Sequence, residues 1–452
     1  MSKPNIILIN CDDLGYGDLG CYGSTLNQTP AIDRLCAEGL KLTSFYMASP
    51  ICTPSRGAML TGSLPQRIGF NRFGVLFPGD RWGLHPEEKT IATLLKEAGY
   101  ATGMVGKWHL GDQPEFLPTQ HGFDFYFGLP FSNDMGRMTP HPHRPPLPLL
   151  LNDEVLEQQP EMESLTQRYT SECVRWIREH RDEPFFLYLA HLHPHLPHLV
   201  APRFVEQAGN GEYGAAVEYI DWSTDVIMAE LKALGLEENT IVIFTSDNGS
   251  RVAGEGGSNS PLRGTKRTNW EGGVRLPGIV RWPARIKPGS SSDEVTSSLD
   301  LLPTLCGLAG AEVPHDRVLD GHDISPIWLD PAAGQSPHAV YPYYFCGTLE
   351  ALRVGPWKLH LRRREPEEEE VCELYHLDDD LGETTDLAAQ QPEKVKELLA
   401  IVEEVRNRLG DKATGQPGRD MRPVGVAEDP KPLTEYDPDH PYMVAMYDGK
   451  CG

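Results

Sequence analysis

The chain has 452 residues, of which 39% are hydrophobic and 23% charged, an ordinary globular balance. Its net charge of −24 argues against non-specific nucleic-acid binding. No apolar run reaches the about 18 residues that a transmembrane helix needs. The start, MSKPNIILIN, enters a strand-like run at once and lacks the cleavage pattern of a signal peptide. As it stands the sequence therefore reads as cytoplasmic, or as a periplasmic or secreted protein whose signal has been removed. Nine scattered cysteines without a CxxC pair suggest neither a disulfide framework nor a zinc cluster.

In chain order, strand-like and helix-like runs alternate in the manner of a parallel α/β sheet. NIILIN is a buried strand that runs into Cys11-Asp12-Asp13. TIATLLKEAGYATGMVGKWHLG reads as a helix, a glycine stop and a short strand. Tyr169, Cys173, Trp176 and Ile177 recur at helical spacing; FFLYLA is a strand; Val217, Ile220, Ile227 and Leu231 mark a long amphipathic helix; IVIFTSDNG is another strand. After about residue 335 the pattern changes. YPYYF, LRVGPWKLHL and CELYHL suggest a short antiparallel sheet, and PEKVKELLAIVEEVRNRL an amphipathic helix. The expected division is a catalytic domain over 1–335 and a smaller α+β domain over 336–452, with LRRREPEEEE as a solvated hairpin turn and a tail from 411 that wraps the surface. The segment 133–160 is expected to be a specificity-shaping loop.

Functional groups of an α/β sheet gather at the carboxyl ends of its strands. Two such ends match: Asp12-Asp13 after the first strand and Asp247-Asn248 after IVIFTS. Three carboxylates and an amide oxygen form a hard donor set suited to Ca²⁺ or Mg²⁺ rather than zinc; the alternative is turn formers and helix caps. Lys107 and His109, two apart on a strand, would share one face and could hold an oxyanion and move a proton. His191, His193, His195 and His198 follow FFLYLA, either as metal or anion contacts or as a satisfied loop. Lys266 lies in a glycine-rich loop and could act as an electrophile or as the acid for a leaving group. In CTPSRGAML, Pro54 suits a first helical turn, so Cys52 lies near a helix N-terminus, where backbone N–H groups favour an anion. Arg56, one turn on, can steady an oxyanion. A thiolate nucleophile fits these facts, yet a soft sulfur is a poor match for a hard oxygen-ligated cation.

Cys52-Thr53-Pro54-Ser55-Arg56, continued by Leu60-Thr61-Gly62, resembles the signature of type I sulfatases of the alkaline phosphatase superfamily. PNIILINCDDLGYGDLGCYG, GKWHLG, TSDNG, NWEGGVRLP and SLDLLPTL resemble further family blocks, in family order and over nearly the whole chain. Within the family the sequence is most similar to the arylsulfatase A and N-acetylgalactosamine-6-sulfatase branch. The resemblance implies a large, mixed, mostly parallel sheet sandwiched by helices, with the smaller α+β domain behind it. It implies that a formylglycine-generating enzyme oxidises Cys52 to Cα-formylglycine, the nucleophile. Asp12, Asp13, Asp247, Asn248 and position 52 would hold Ca²⁺, with Mg²⁺ as a second choice. Arg56 would stabilise the formylglycine. Lys107, Lys266, His195 and Ser132 would contact sulfate, and His109 the formylglycine hydroxyl. His193 and His198 are candidates for substrate contact. The implied reaction is hydrolysis of a sulfated sugar or an aryl sulfate: a hydrated aldehyde attacks sulfur, Lys266 or His195 protonates the leaving alcohol, and His109 takes a proton as sulfate departs. Three rivals are carried forward: a phosphonate monoester or phosphodiester hydrolase with the same aldehyde and metal, a silent sulfatase-like binding protein, and a cysteine-thiol hydrolase.

Overall fold

The computed structural model describes residues 3–138, 141–252, 254–364 and 368–435. The strands, in chain order, are β1 (Asn5–Asp12), β2 (Leu40–Tyr46), β3 (Trp82–Gly83), β4 (Ala101–Gly106), β5 (Phe125–Gly128), β6 (Pro148–Leu151), β7 (Glu154–Gln158), β8 (Phe185–Pro194), β9 (Thr240–Ser246), β10 (Arg275–Arg281), β11 (Ser290–Ser292), β12 (Thr296–Ser297), β13 (Tyr341–Phe345), β14 (Thr348–Val354), β15 (Trp357–Arg363), β16 (Glu369–His376) and β17 (Gly425–Val426). The main sheet has 11 strands in the order β11-β2-β10-β9-β1-β8-β4-β5-β6-β7, with β12 beside β2. Its centre, β9-β1-β8-β4-β5, is parallel. Antiparallel pairs flank it on both sides.

Every residue of β1 is buried, as expected for a parallel strand covered on both faces. Alternation along β1 divides the core. Ile6 and Leu8 pack with Met59, Leu95, Leu301 and Leu305 on one face. Ile7 and Ile9 pack with Ile32, Leu165, Trp176, Ile220 and Leu231 on the other. The long helices Met162–Glu179 and Gly211–Ala233 coincide with the two periodic runs read in the sequence.

β13 to β16 form a four-stranded antiparallel sheet, against which Leu398 and Val402 of the helix Pro392–Leu409 pack. In the β15–β16 hairpin Arg362 and Arg363 lie opposite Glu370 and Glu369; positions 365–367 of the expected turn fall outside the described residues. The tail, as far as it is described, returns over the first unit: Val426 pairs with Trp82, and Lys431 N–H donates to Gln113. Two expectations change. Residues 148–158 are not loop but a β6–β7 hairpin at the sheet margin, because LPLLL and EVLEQ bracket a turn at Asn152, which has φ 55°. Lys107 and His109 do not share a strand face, because β4 ends at Gly106.

Candidate active site

The parallel register sets the carboxyl ends of β9, β1, β8 and β4 side by side. Cys11 stands opposite Ser246, and Asp247 N–H donates to the Cys11 carbonyl at 3.0 Å. On a strand, Asp12 and Asp13 would point to opposite faces. Asp13 instead adopts φ 67°, a left-handed conformation that Asp tolerates better than most residues, and the chain turns so that both carboxylates serve one site. The end of β4 uses a related device. Gly106 has φ 111°, and a Cβ there would stand 1.9 Å from the Ala190 carbonyl; His109 has φ 65°. Lys107 and His109 thus reach one region through a backbone turn rather than through strand periodicity.

Cys52 is the first residue of a wholly buried helix, Cys52–Thr61, closed by Gly62 in the left-handed region. Its Sγ lies 3.5 Å from Asp12 Oδ1 and 3.4 Å from Lys266 Nζ. Lys107 Nζ is 2.5 Å from Asp12 and 3.3 Å from Ser132 Oγ. Lys266 Nζ is 2.7 Å from Asp13, and His195 Nε2 is 3.7 Å from the same carboxylate. Arg56 donates Nε to Asp247 at 2.8 Å and Nη1 to the Lys107 carbonyl at 2.9 Å. Asn248 donates to Asp13 at 2.6 Å. The ligand atoms of Asp12, Asp13, Cys52 and His195 all lie within 4.8 Å of one another.

Burial pushes the Cys52 thiol up, further than Lys107 and Lys266 pull it down, so position 52 as encoded carries a protonated thiol and not a thiolate. Burial, then Lys107 and Arg56, push His109 well down; its imidazole is neutral and can accept a proton. Burial alone would lower Lys266, but Asp13 raises it and keeps it an ammonium. Burial would raise Asp12, yet Lys107 and its other cationic neighbours hold it below the usual carboxylate range.

Three buried carboxylates face three cations, Arg56, Lys107 and Lys266. Even so, among the described residues Asn248 Oδ1, Arg56 Nη2 and His109 Nδ1 have no hydrogen-bond partner, Arg56 Nη2 standing 3.9 Å from Asp12. A buried amide oxygen with nothing to accept, beside carboxylates, is what a hard cation would satisfy. The donor set therefore fits a metal ion.

Cys52, His109, Ser132, His195 and Lys266 line one cavity of about 850 Å³. His193 is not brought to it: its ring nitrogens meet Thr166 and the Leu199 carbonyl, because it points off β8 toward the helix Met162–Glu179. His198 is also turned away, its ring edge-on to Tyr213. The cavity has a wall that the sequence reading missed, built from Phe73, Phe77, Trp82 and Phe345. The aromatic, glycine-containing run FGVLFPGDRW was the available signal; nothing in YPYYF pointed to the cavity.

The family model described as Sulfatase matches residues 4–311, and that described as N-sulphoglucosamine sulphohydrolase, C-terminal, matches 264–412. Human arylsulfatase A is 44% identical over 383 residues, covering 79% of this chain and 74% of the relative. Mouse N-acetylgalactosamine-6-sulfatase is 40% identical over 380 residues (79% and 72%), and rat steryl-sulfatase 39% over 436 residues (79% and 75%). The crystal structure of Ps i-CgsB in complex with k-i-k-neocarrahexaose matches with a TM-score of 0.80 at 29% identity, covering 92% of this chain and 96% of that one.

Proposed function

The chain belongs to the sulfatase family, the sulfuric ester hydrolases, and on that premise we propose how its residues divide the hydrolysis of a sulfate monoester of a sugar or aryl alcohol. The observation that carries the reading is the meeting of Cys52, at the start of its buried helix, with Asp12, Asp13, Lys266 and His195. Position 52, converted to formylglycine by a formylglycine-generating enzyme, supplies an oxygen nucleophile through its hydrated aldehyde and can release sulfate by C–O cleavage, which a serine cannot do. Asp12, Asp13, Asp247 and Asn248 would hold Ca²⁺, which when bound supplies Lewis-acid polarisation of sulfate oxygens.

Lys107, Ser132, Lys266 and His195 hold the sulfate oxygens. Both lysines sit on carboxylates, so binding a cation and a sulfate ester would exchange those partners without burying a charge alone. Lys266, an ammonium, gives a proton to the departing alcohol. Neutral His109 accepts the proton whose loss precedes sulfate release. Arg56 keeps Asp247 and the Lys107 backbone in register. The aromatic wall and the cavity volume leave room for a ring as well as a sulfate, as a sugar or aryl sulfate requires. Residues 1–335 carry the catalytic groups in this reading, and Phe345 of the following unit adds to the cavity wall.

Two measurements test it. The peptide containing Cys52, from protein co-produced with an active formylglycine-generating enzyme, is expected to have lost sulfur and gained an aldehyde. An intact thiol there, with a control substrate converted, would sink the oxygen-nucleophile reading. Sulfate release from 4-nitrophenyl sulfate is expected to fall at least about 100-fold in a chelator and to return with Ca²⁺. Faster turnover of a phenyl phosphonate monoester would instead favour the phosphonate hydrolase.

A further inference from the structure

Lys266 stands on a segment whose two ends are anchored differently. At the near end its own N–H donates to the Ser250 carbonyl at 3.1 Å, and Arg267 N–H to the Pro50 carbonyl at 2.9 Å. Both anchors belong to the strand-end region around Cys52 and Asp247. Five residues on, at Glu271, the anchors come mostly from the C-terminal sheet and the loop that follows it, with Tyr46 of β2 beside them. Glu271 N–H donates to Glu383 at 2.7 Å. The Glu271 carboxylate accepts from Lys358 Nζ, on β15, at 2.9 Å, from Tyr343, on β13, at 3.2 Å, and from Tyr46. Lys358 also reaches Glu383 at 2.9 Å, and His360 meets the same carboxylate at 2.8 Å. Between the two ends, Asn269 donates to Glu350 on β14 at 2.8 Å, and the Trp270 ring lies 4.2 Å from that of His360. Glu271, Glu383 and Lys358 are fully buried.

The same turn abuts the strand end that carries Asp247 and Asn248. Gly249 N–H donates to the Gly273 carbonyl at 3.0 Å, and a Cβ on Gly249 would stand 1.8 Å from the Gly272 carbonyl. The Glu271 turn is also tied back across the Lys266 segment, Gly272 N–H donating to the Arg263 carbonyl at 2.7 Å, so a shift of the turn would bear on both the Lys266 segment and the Asp247 strand end. A buried ion group holds a geometry tightly because loss of any partner leaves a charge without compensation.

We propose that Lys358, on β15, and Glu383, in the loop after β16, are positioning residues for Lys266: through Glu271 they fix the segment that aims the Lys266 ammonium at the departing alcohol. The inference rests on Lys266 being the acid in the proposed reaction. A misaimed acid matters little when the alcohol leaves readily and much when it does not. Lys358 and Glu383, neither of which lines the cavity, thus act on one proton transfer from outside it.

The test uses the full-length matured enzyme and a series of substituted phenyl sulfates, from 4-nitrophenyl sulfate to phenyl sulfate. Lys358→Met is expected to lower kcat about tenfold on the first and about a hundredfold on the last, with KM little changed. Lys358→Arg should recover most of the loss. Lys266→Ala should steepen the leaving-group dependence further, and Leu231→Ala, a core truncation far from the site, should leave the slope as in the parent. Should Lys358→Met fail to fold, Glu383→Gln, which keeps size and acceptor, carries the same expectation in milder form. Equal losses across the series for Lys358→Met and Glu383→Gln, with a steepened slope for Lys266→Ala, would overturn the positioning role alone. A flat series for Lys266→Ala would overturn the acid role and the inference with it.

Discussion

Between Lys266 and Glu271 the chain passes from one buried charge cluster to another. The first joins Asp12, Asp13 and Asp247 to Arg56, Lys107 and Lys266; the second joins Glu271 and Glu383 to Lys358, Arg275 and His360. Both hold ions out of water. They differ in what is left over. The first retains Asn248 Oδ1, Arg56 Nη2 and His109 Nδ1 without hydrogen-bond partners and adjoins the cavity lined by Cys52 and Lys266. In the second, no polar side-chain atom of Glu271, Glu383 or Lys358 lacks a partner. Burial of charge therefore does not distinguish a reaction centre from a structural clamp. Unspent hydrogen-bonding capacity beside a cavity does.

Substitutions should separate the two clusters. Cys52→Ala is expected to remove about 10⁴-fold or more of the activity on 4-nitrophenyl sulfate. Its thermal midpoint should move by no more than about 5 °C. A large loss of stability with activity retained would reverse the assignment of reaction centre and clamp. Lys358→Met should instead cost about 3–5 kcal/mol in urea unfolding, beside its smaller loss of kcat, because Glu271 and Glu383 lose their shared cation, while Lys358→Met with Glu271→Gln should recover part of the stability.

The clamp should also show in acid. Burial would raise Glu271, but Lys358, Arg275 and Arg353 hold it down at about 2, against an ordinary value of 4.5. Its contribution to stability is present above 4.5 and is lost as pH falls toward 2. Glu271→Gln should therefore flatten the stability profile over that window by about 3 kcal/mol, read from urea midpoints at successive pH values. An unchanged acid limb would remove Glu271 from the clamp. At the small end, Glu397→Gln, which breaks an exposed pair with Lys394, should change stability by less than about 0.5 kcal/mol. A larger effect would mean that position on the surface does not separate these pairs from the buried ones.

Much of the proposed reaction centre was legible in order along the chain. The apolar runs NIILIN and IVIFTS declare buried strands, and polar residues at their ends can only gather at one edge of a parallel sheet. Pro54 and Gly62 bracket the helix that Cys52 opens. The second cluster was not legible. Glu271 falls within the block NWEGGVRLP, but Lys358, Glu383 and Glu271 lie in three separate segments, with no shared motif or period to join them. His193 and His198 show the converse: their composition and spacing near His195 suggested one function, but β8 and the turn after it send the rings to different neighbours.

The sequence by itself determined the strand and helix runs, the donor types that suit a hard cation and the cysteine within its signature, because these depend on local pattern and side-chain chemistry. Only the tertiary structure decided that Asp13 and His109 reach the site through left-handed turns, that an aromatic wall from two distant segments bounds the cavity, and that a C-terminal ion group grips the Lys266 segment. Those outcomes depend on which distant groups exclude water from one another, and neither local propensity nor composition carries that information.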